Sequence, residues 1–247
     1  MIDYGTMLPT QRRQAAVDTI AGWIVGGRFG PGDTLPIEPA MGGELAVSRT
    51  VVREALKTLT AKGLVITGPR LGTRVRPRAD WNHFDPDVVN WRLEAGVDAA
   101  FVRELMQLRL MIEPAAARLA ARAATREDIG AAEGAYRSMV DGARSLGPYL
   151  RADIAFHECL LRATHNQFIA GLAPVFSALL RVSFRLSVRS PASARASLPA
   201  HRRLLDAVIA RKPDLAEAAT LALIEMARAD IEGRIGSGPL RAADAHA

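Results

Sequence analysis

The sequence predicts a mainly α-helical protein, with one short β-hairpin near its N-terminus and an all-α helical bundle after it. The chain has 247 residues, of which 49% are hydrophobic, and this is the composition of a globular protein with enough chain for a real core. Aromatic residues make up only 5%, which favours helix-on-helix packing over β architecture. β-like runs occur only in the first 80 residues, and helical periodicity dominates the rest.

The N-terminal third predicts three short helices followed by a hairpin. Ile20 and Trp23 belong to an apolar pattern at helical spacing, and Ser48 stands where a helix N-cap is needed. Gly63 ends the third helix before two β-like runs that flank a turn with a basic tip. The expected elements are helices over 9–27, 36–46 and 49–62 and β-like runs over 64–66 and 73–75.

The remainder of the chain predicts six or seven helices in a bundle. Pro114 lies inside the first long helix, and Thr125 is an N-cap with acidic residues in the turn that follows it. Expected helices cover 99–123, 148–163, 167–188, 197–211 and 213–234, with one more starting after Thr125. The predicted domains are 1–80 and 99–235, joined by a linker helix over 81–98 and followed by a flexible tail over 236–247.

The charge of the chain is basic and concentrated in its first third. Lys and Arg number 32 against 26 Asp and Glu, a formal charge of +6, and residues 1–80 alone hold eleven basic and seven acidic residues. Such a distribution suits an anionic partner such as nucleic acid. The single cysteine, Cys159, excludes an internal disulfide. With no secretory signal and no apolar stretch long enough for a bilayer, we expect a cytoplasmic protein and no membrane partner.

The helix, turn, helix and basic hairpin of residues 36–76 indicate DNA binding. Arg49 and Arg53 share one face near the start of the third helix, where a recognition helix presents side chains to base edges. Ser48 and Thr50 suit phosphate contacts, and the hairpin suits a wing. The candidate DNA-contacting residues are Ser48, Arg49, Thr50, Arg53, Arg70, Gly72, Thr73 and Arg74. The alternative is a small helical domain whose arginines only face solvent.

Residues 24–75 resemble the winged helix-turn-helix of the GntR superfamily of bacterial regulators. The resemblance rests on GPGDTLP at 30–36, VSRTVVREAL at 47–56 and GTRV at 72–75. It implies a homodimer that reads a palindromic double-stranded DNA operator. Two positions depart from the family pattern: Pro39 follows Glu38 where an arginine is common, which removes one expected DNA contact, and Arg70 replaces the usual wing glycine.

A second constellation indicates a metal site in the bundle. Asp153 and His157 are four residues apart, so they share a helix face and can converge on one cation. His201, from a later helix, can join them. The alternative is a pair on a helix surface.

Residues 99–230 resemble the FCD effector domain of the FadR-type branch of the same superfamily. The resemblance implies that Asp153, His157 and His201 hold a divalent ion, zinc or similar, with Arg109 and Asn166 on the effector. The family's last histidine would fall near Leu223, which leaves three protein ligands and an open position. For Arg109, a structural ion pair with Glu113 four residues later stays open as the alternative.

Three function classes are compatible with these patterns. The leading hypothesis is a ligand-responsive transcription regulator, most simply a repressor. The segment 80–91 resembles FadR-type regulators of hexonate metabolism, which implies a sugar-acid effector; other hydroxy or dicarboxylic acids and fatty acyl-CoA are alternatives. A metal-dependent enzyme is the second hypothesis, but no convincing general base accompanies the three ligands. A helical interaction module without metal or ligand is the third.

Overall fold

The computed structural model describes residues 8–188 and 190–235 of the chain. The described residues form two compact units, one on each side of the boundary between Gly96 and Val97. The tail predicted over 236–247 lies outside the described residues. No helix in the described part of the chain combines the length and the apolar character needed to cross a lipid bilayer.

The first unit contains four α-helices and a two-stranded antiparallel sheet among its described residues. Its elements are α1 (Pro9–Val25), α2 (Glu38–Leu45), α3 (Arg49–Ala61), β1 (Val65–Gly68), β2 (Gly72–Val75), a 3-10 turn (Arg78–Asp80) and α4 (Pro86–Ala95). The strands pair in a hairpin register from Val65 opposite Val75 to Gly68 opposite Gly72. The three predicted helices and the predicted hairpin are therefore confirmed, with ends that differ by a few residues.

Helix α3 is placed by its cap and by its apolar face. The Ser48 hydroxyl accepts a hydrogen bond from the backbone N–H of Val51 at 3.3 Å, which satisfies one of the free donors at the helix start. Val52 and Leu59 are fully buried and pack in the core of this unit. Gly42 in α2 lies so close to the turn before α3 that an added Cβ would be 3.0 Å from the Val47 carbonyl oxygen. The tight turn between α2 and α3 therefore favours glycine there.

The segment predicted as a linker, 81–98, is packed into the first unit as far as Gly96. Trp81, Val88 and Trp91 lie in the core of that unit. The Lys62 ammonium binds the Asp85 carboxylate at 2.7 Å, and the Trp91 indole N–H donates to Asp18 in α1 at 2.9 Å. Both indoles are buried and both indole N–H groups are hydrogen-bonded, so this stretch is packed into the unit and is not a free linker.

The second unit is entirely helical in its described residues. Its helices are α5 (Ala99–Ala123), α6 (Arg126–Gly142), α7 (Leu146–Arg162), α8 (Gln167–Gly171), α9 (Ala173–Ser187), α10 (Pro191–Ile209) and α11 (Pro213–Ile235). Its core combines small and large apolar side chains: alanines of α5 belong to the same cluster as Tyr149, Phe156 and Leu204. The predicted N-cap at Thr125 is confirmed, and it forms a reciprocal capping box with Asp128.

Two helix predictions in this unit were wrong in extent. The single helix expected over 167–188 is divided at Leu172 into α8 and α9, because Pro174 occupies the first turn of α9 and has no N–H to continue a preceding helix. Helix α10 begins at Pro191 instead of 197, because Ser190 and Ser193 form a capping box ahead of it.

Candidate functional site

The N-terminal end of α3 presents an open basic face in the first unit. The side chains of Arg49 and Thr50 are exposed, and the Ser48 hydroxyl is occupied as the helix cap while its proton remains able to donate. The positive end of the helix dipole adds to the charge of Arg49 at this point. The face thus combines a cation, hydroxyl donors and backbone N–H groups, which together suit a phosphate or a base edge.

Arg53 is held across this face by Glu38 at the start of α2. Its Nη2 and Nε lie 3.0 and 3.3 Å from the two carboxylate oxygens of Glu38, while its side chain stays 63% exposed. The hydrogen bonds and the charge of Glu38 raise the pKa of Arg53. Arg53 is therefore not a free arginine at this surface. Its guanidinium is fixed on one edge by a partner that the sequence pattern does not predict.

The hairpin carries Arg70 and Arg74, the other two basic residues predicted to contact DNA. Arg70 lies at the tip with φ of 62°, in the left-handed region that favours glycine, and Gly72 follows with φ of 69°. Arg74 in β2 is exposed, and its Nη1 lies 3.5 Å from the Gly32 carbonyl oxygen. Thr73 accepts through its backbone carbonyl from the Leu35 N–H at 2.8 Å, which ties the hairpin to the turn before α2.

A separate cavity of about 370 Å³ lies inside the helical unit. Side chains from α5, α7, α9, α10 and α11 form its wall. Its polar lining consists of Arg109, Tyr149, Asp153, His157, Ser183, Ser187, Ser193, Ser197, His201 and Asp230. A small space with several converging polar groups has the character of a small-molecule site.

Asp153, His157 and His201 converge in this cavity: the first two share one face of α7, and His201 comes from α10. All three residues are buried, and one ligand atom from each lies within 4.8 Å of the others. The His201 Nε2 is 3.1 Å from the Asp153 Oδ1. Two imidazole nitrogens and a carboxylate oxygen are donors that zinc and similar divalent ions accept.

The second nitrogen of each histidine is oriented by a neighbour. The His201 Nδ1 is 3.0 Å from the Ser197 carbonyl oxygen, which can only accept, so Nδ1 donates there and Nε2 is the nitrogen that faces Asp153. The His157 Nδ1 is 3.5 Å from Glu113. Carbonyl and carboxylate partners of this kind orient metal-binding histidines. The donor set and its supports therefore fit a divalent ion.

The protonation states agree with a ligand role. Burial lowers the pKa of His157 and keeps the ring neutral. Burial opposes ionisation of Asp153, but the hydrogen bond from His201 and the nearby positive charges outweigh it, so the pKa of Asp153 lies below its usual value. Neutral imidazoles and an ionised carboxylate are the forms that bind a cation.

Arg109 lines the cavity and is also ion-paired with Glu113. Its Nε lies 2.6 Å from the Glu113 Oε1, and its Nη1 lies 2.5 Å from the Ser183 hydroxyl. Both interpretations of Arg109, the effector contact and the structural ion pair, are therefore compatible with its position. The pair fixes one edge of the guanidinium, and the arginine still forms part of the cavity wall.

Asn166 does not lie in the cavity, contrary to its predicted effector role. It is exposed, and its side-chain oxygen accepts hydrogen bonds from the Phe168 and Ile169 N–H groups at the start of α8. Its sequence context fits a helix cap as well as a ligand contact, which is why the prediction erred. Leu223, by contrast, is buried in the cavity wall.

Four serines that line the cavity were missed at the sequence level. Ser183 and Ser187 in α9 are four residues apart, as are Ser193 and Ser197 in α10. Such spacing places each pair on one helix face. Hydroxyls repeated at this spacing in otherwise apolar or small-residue helices were the signal that could have identified them.

Two family patterns match the chain, one for each unit. The pattern described as "Bacterial regulatory proteins, gntR family" covers residues 12–75, and the FCD domain covers residues 104–226. The first match contains α3 and the hairpin, and the second contains the three clustered ligands and Arg109.

Several known proteins are similar over much of the chain. The galactonate operon transcriptional repressor of Escherichia coli K12 is 35% identical over 209 residues, which cover 84% of this chain and 91% of that protein. The Uxu operon transcriptional regulator of the same organism is 35% identical over 148 residues, 58% of this chain and 55% of that protein.

A solved structure shares the fold. It is described as Lar, which controls expression of the Listeria monocytogenes agr system, and it matches with a TM-score of 0.68 at 18% identity, covering 90% of this chain and 97% of that one. Taken with the family matches and the named relatives, the chain is a DNA-binding transcription regulator and not an enzyme. The chain belongs to the GntR family of bacterial regulators and carries an FCD effector domain.

Proposed function

We propose that this regulator represses an operon for sugar-acid catabolism and is released from its DNA when a sugar acid enters the cavity of the helical unit. The observation that carries the proposal is the combination of Arg109, a three-ligand cluster and four serine hydroxyls around one space of about 370 Å³. A carboxylate flanked by hydroxyl groups is the ligand that such a lining recognises. The regulator works in the cytoplasm, where its DNA is.

The chemistry of the cavity distinguishes among the candidate effectors. The guanidinium of Arg109 offers donors to a carboxylate, and Ser183, Ser187, Ser193 and Ser197 offer donors and acceptors to hydroxyl groups. A volume near the lower end for ligand pockets suits a compact acid better than a fatty acyl-CoA. Relatives named for galactonate and Uxu operons support the same class.

A divalent ion belongs to this proposal. Asp153, His157 and His201 would hold it, and Ser197 and Glu113 would orient the two rings. Zinc or a similar ion would supply a Lewis-acid centre for the oxygen atoms of the acid. The role of the protein side chains is to fix the histidine tautomers and to exclude bulk water from the buried cluster.

Different residues of the DNA-binding unit would make different kinds of contact with the operator. Arg49 and Arg53 would read base edges in the major groove, with Ser48 and Thr50 near the phosphates. Arg70, Gly72, Thr73 and Arg74 would form a wing on the neighbouring backbone or groove. A homodimer presents two such units to a palindrome.

A DNA titration tests the proposed function directly. Fluorescence anisotropy of the labelled region upstream of the regulator's own gene is measured with and without D-galactonate and a panel of other aldonic acids and dicarboxylic acids. We expect tight specific binding that at least one sugar acid weakens about tenfold or more, the scale of a typical coupling between two sites. Response only to dicarboxylic acids, or to no acid, would contradict the sugar-acid assignment.

Arg74→Ala tests the wing. We expect similar losses of affinity for operator and for unrelated DNA, because a phosphate contact positions the protein without reading sequence. The slope of log K against log salt should become shallower by about 0.9 for each phosphate group that the variant no longer neutralises. The measurement is a salt series on both DNAs, and a loss confined to the operator would show that Arg74 reads bases instead.

Arg70→Gly separates stability from DNA binding at the hairpin tip. Glycine adopts a φ of 62° without the strain that a Cβ causes, so thermal unfolding should show a stability that is unchanged or raised by up to about 1 kcal/mol. Affinity for DNA should fall, since the exposed cation is removed. A variant that binds DNA as tightly as the parent would remove Arg70 from the interface.

A further inference from the structure

We propose that Ile37 reads DNA sequence: together with Pro39, it contacts the C5 methyl group of a thymine next to the base that Arg53 reads. The inference rests on the DNA-binding part of the proposed function, in which α3 faces the operator, and it needs no effector. It makes thymine methyl groups a determinant of operator choice, in addition to the hydrogen bonds of the arginines.

Ile37 lines an open cleft in the first unit. The cleft has a volume of about 920 Å³ and lies between the start of α2, one side of α3 and the hairpin. Its lining also includes Pro39, Arg53 and Lys57. Apolar and cationic side chains therefore border the same space, in the unit that matches the family of DNA-binding regulators.

The identity of residue 37 is not explained by folding. Isoleucine is usually buried, but the Ile37 side chain is 73% exposed. Ile37 is also the N-cap of α2, where its side chain accepts no hydrogen bond. A serine, threonine, aspartate or asparagine at this position would satisfy a free N–H group, and isoleucine is among the least favoured residues. A residue that breaks a local rule in this way points to a functional role.

Ile37 lies beside an arginine that is already fixed in place. The residue that follows it, Glu38, accepts hydrogen bonds from Arg53 at 3.0 and 3.3 Å. Pro39 is exposed in the first turn of α2, where its ring restricts the backbone. An apolar surface on a restricted backbone therefore flanks a preorganised guanidinium.

This pair of side-chain types matches two neighbouring bases in the major groove of DNA. Thymine presents a methyl group there, which apolar side chains contact, and guanine presents two acceptors that suit an arginine. The charged residues of the cleft lining are Arg53, Lys57 and Glu38, so its net charge is positive. That charge favours a polyanion over an apolar peptide as the occupant. The geometry thus fits a thymine beside a guanine.

Replacing thymine by uracil tests the contact, because uracil lacks only the methyl group. Duplexes that the full-length protein selects from a random-sequence pool are synthesised with thymine or with uracil, and anisotropy titrations give each Kd. We expect uracil to weaken binding of the parent about threefold to fivefold for each half-site, the effect of one methyl group that is no longer buried. For Ile37→Ala, the loss per half-site should be below about twofold, because the two changes remove the same contact.

Ile37→Ser separates the DNA contact from stability. A serine hydroxyl can cap α2, so the Tm should stay unchanged or rise by a few degrees, while affinity for thymine DNA falls as in Ile37→Ala. Leu8→Ser is the matched control. Leu8 is likewise an exposed N-cap residue, at the start of α1, but it does not line the cleft. We expect Leu8→Ser to keep the full preference of the parent for thymine over uracil.

The outcomes separate this inference from the proposed function. Equal losses on uracil DNA for the parent and for Ile37→Ala, or selected half-sites without thymine, would show that Ile37 does not read the methyl group. A loss in Ile37→Ala that is as large on unrelated DNA would place Ile37 against the sugar-phosphate backbone instead. If Arg49→Ala and Arg53→Ala also bind the selected DNA like the parent, the proposed contacts of α3 are wrong as well.

Discussion

Arg49→Ala is expected to weaken operator discrimination strongly while leaving the fold intact. Arg49 is exposed at the first turn of α3, where a recognition helix meets base edges. A bidentate arginine contact with guanine contributes about 1–3 kcal/mol of discrimination, which is about a fivefold to 150-fold loss of operator affinity for each half-site. Binding to unrelated DNA should change much less. Anisotropy titrations on operator and scrambled DNA measure both quantities.

Arg49→Lys is the matched control for this prediction. Lysine keeps the positive charge and therefore most of the salt dependence, but it lacks the planar pair of donors that reads guanine. We expect it to bind scrambled DNA like the parent protein and the operator much more weakly. If Arg49→Ala retains full operator affinity, α3 does not read the operator through this residue, and the recognition face must be sought elsewhere on the unit.

Arg53 is expected to differ from Arg49 as a DNA contact, because Glu38 holds its guanidinium in place. The two hydrogen bonds leave the Arg53 side chain 63% exposed and fix its guanidinium on one edge. A preorganised arginine loses less side-chain entropy when it binds, so Glu38 would support recognition by Arg53 without itself touching DNA. This arrangement also gives Glu38 a function in a chain where Pro39 replaces the arginine that the family commonly has next to it.

The parts of the fold that sequence predicts well are those with local causes. The start of α3 follows from the hydroxyl of Ser48 and the hairpin from β-like runs around a glycine-rich turn, because caps and turns depend on a few adjacent residues. Asp153 and His157 meet because helix geometry alone places residues four apart on one face. These features need no knowledge of distant packing.

The parts that sequence does not reveal depend on contacts between distant residues. Trp91 reaches Asp18 across 73 positions, so the packing of residues 81–96 could not be read from their composition. Glu38 and Arg53 lie on different helices, and Ser183 reaches Arg109 from α9 to α5. For Asn166 the local sequence was misleading. It suits both a helix cap and an effector contact, and only the position of the residue in the fold distinguishes the two.

His157→Ala is expected to remove the effector response while sparing the DNA-binding face. The variant loses one of three donors in the cluster. Because changes in residues that merely support metal ligands already cost about 10–100-fold in metal affinity, loss of a ligand should cost at least about 100-fold. Operator affinity without acid should stay within about threefold of the parent value, since α3 and the hairpin belong to the other compact unit. Release by the acid should be abolished.

His165→Ala is the control that makes this result specific. His165 is also a histidine of the helical unit, but it is half exposed, binds Asp128 at 2.8 Å and is absent from the cavity lining. We expect His165→Ala to bind as much metal as the parent protein and to be released from DNA fully by the acid. A ligand can shift the regulator between states only through its different affinity for them. A full response in metal-depleted His157→Ala would therefore mean that the acid acts through Arg109 and the serines alone, with no part played by the metal.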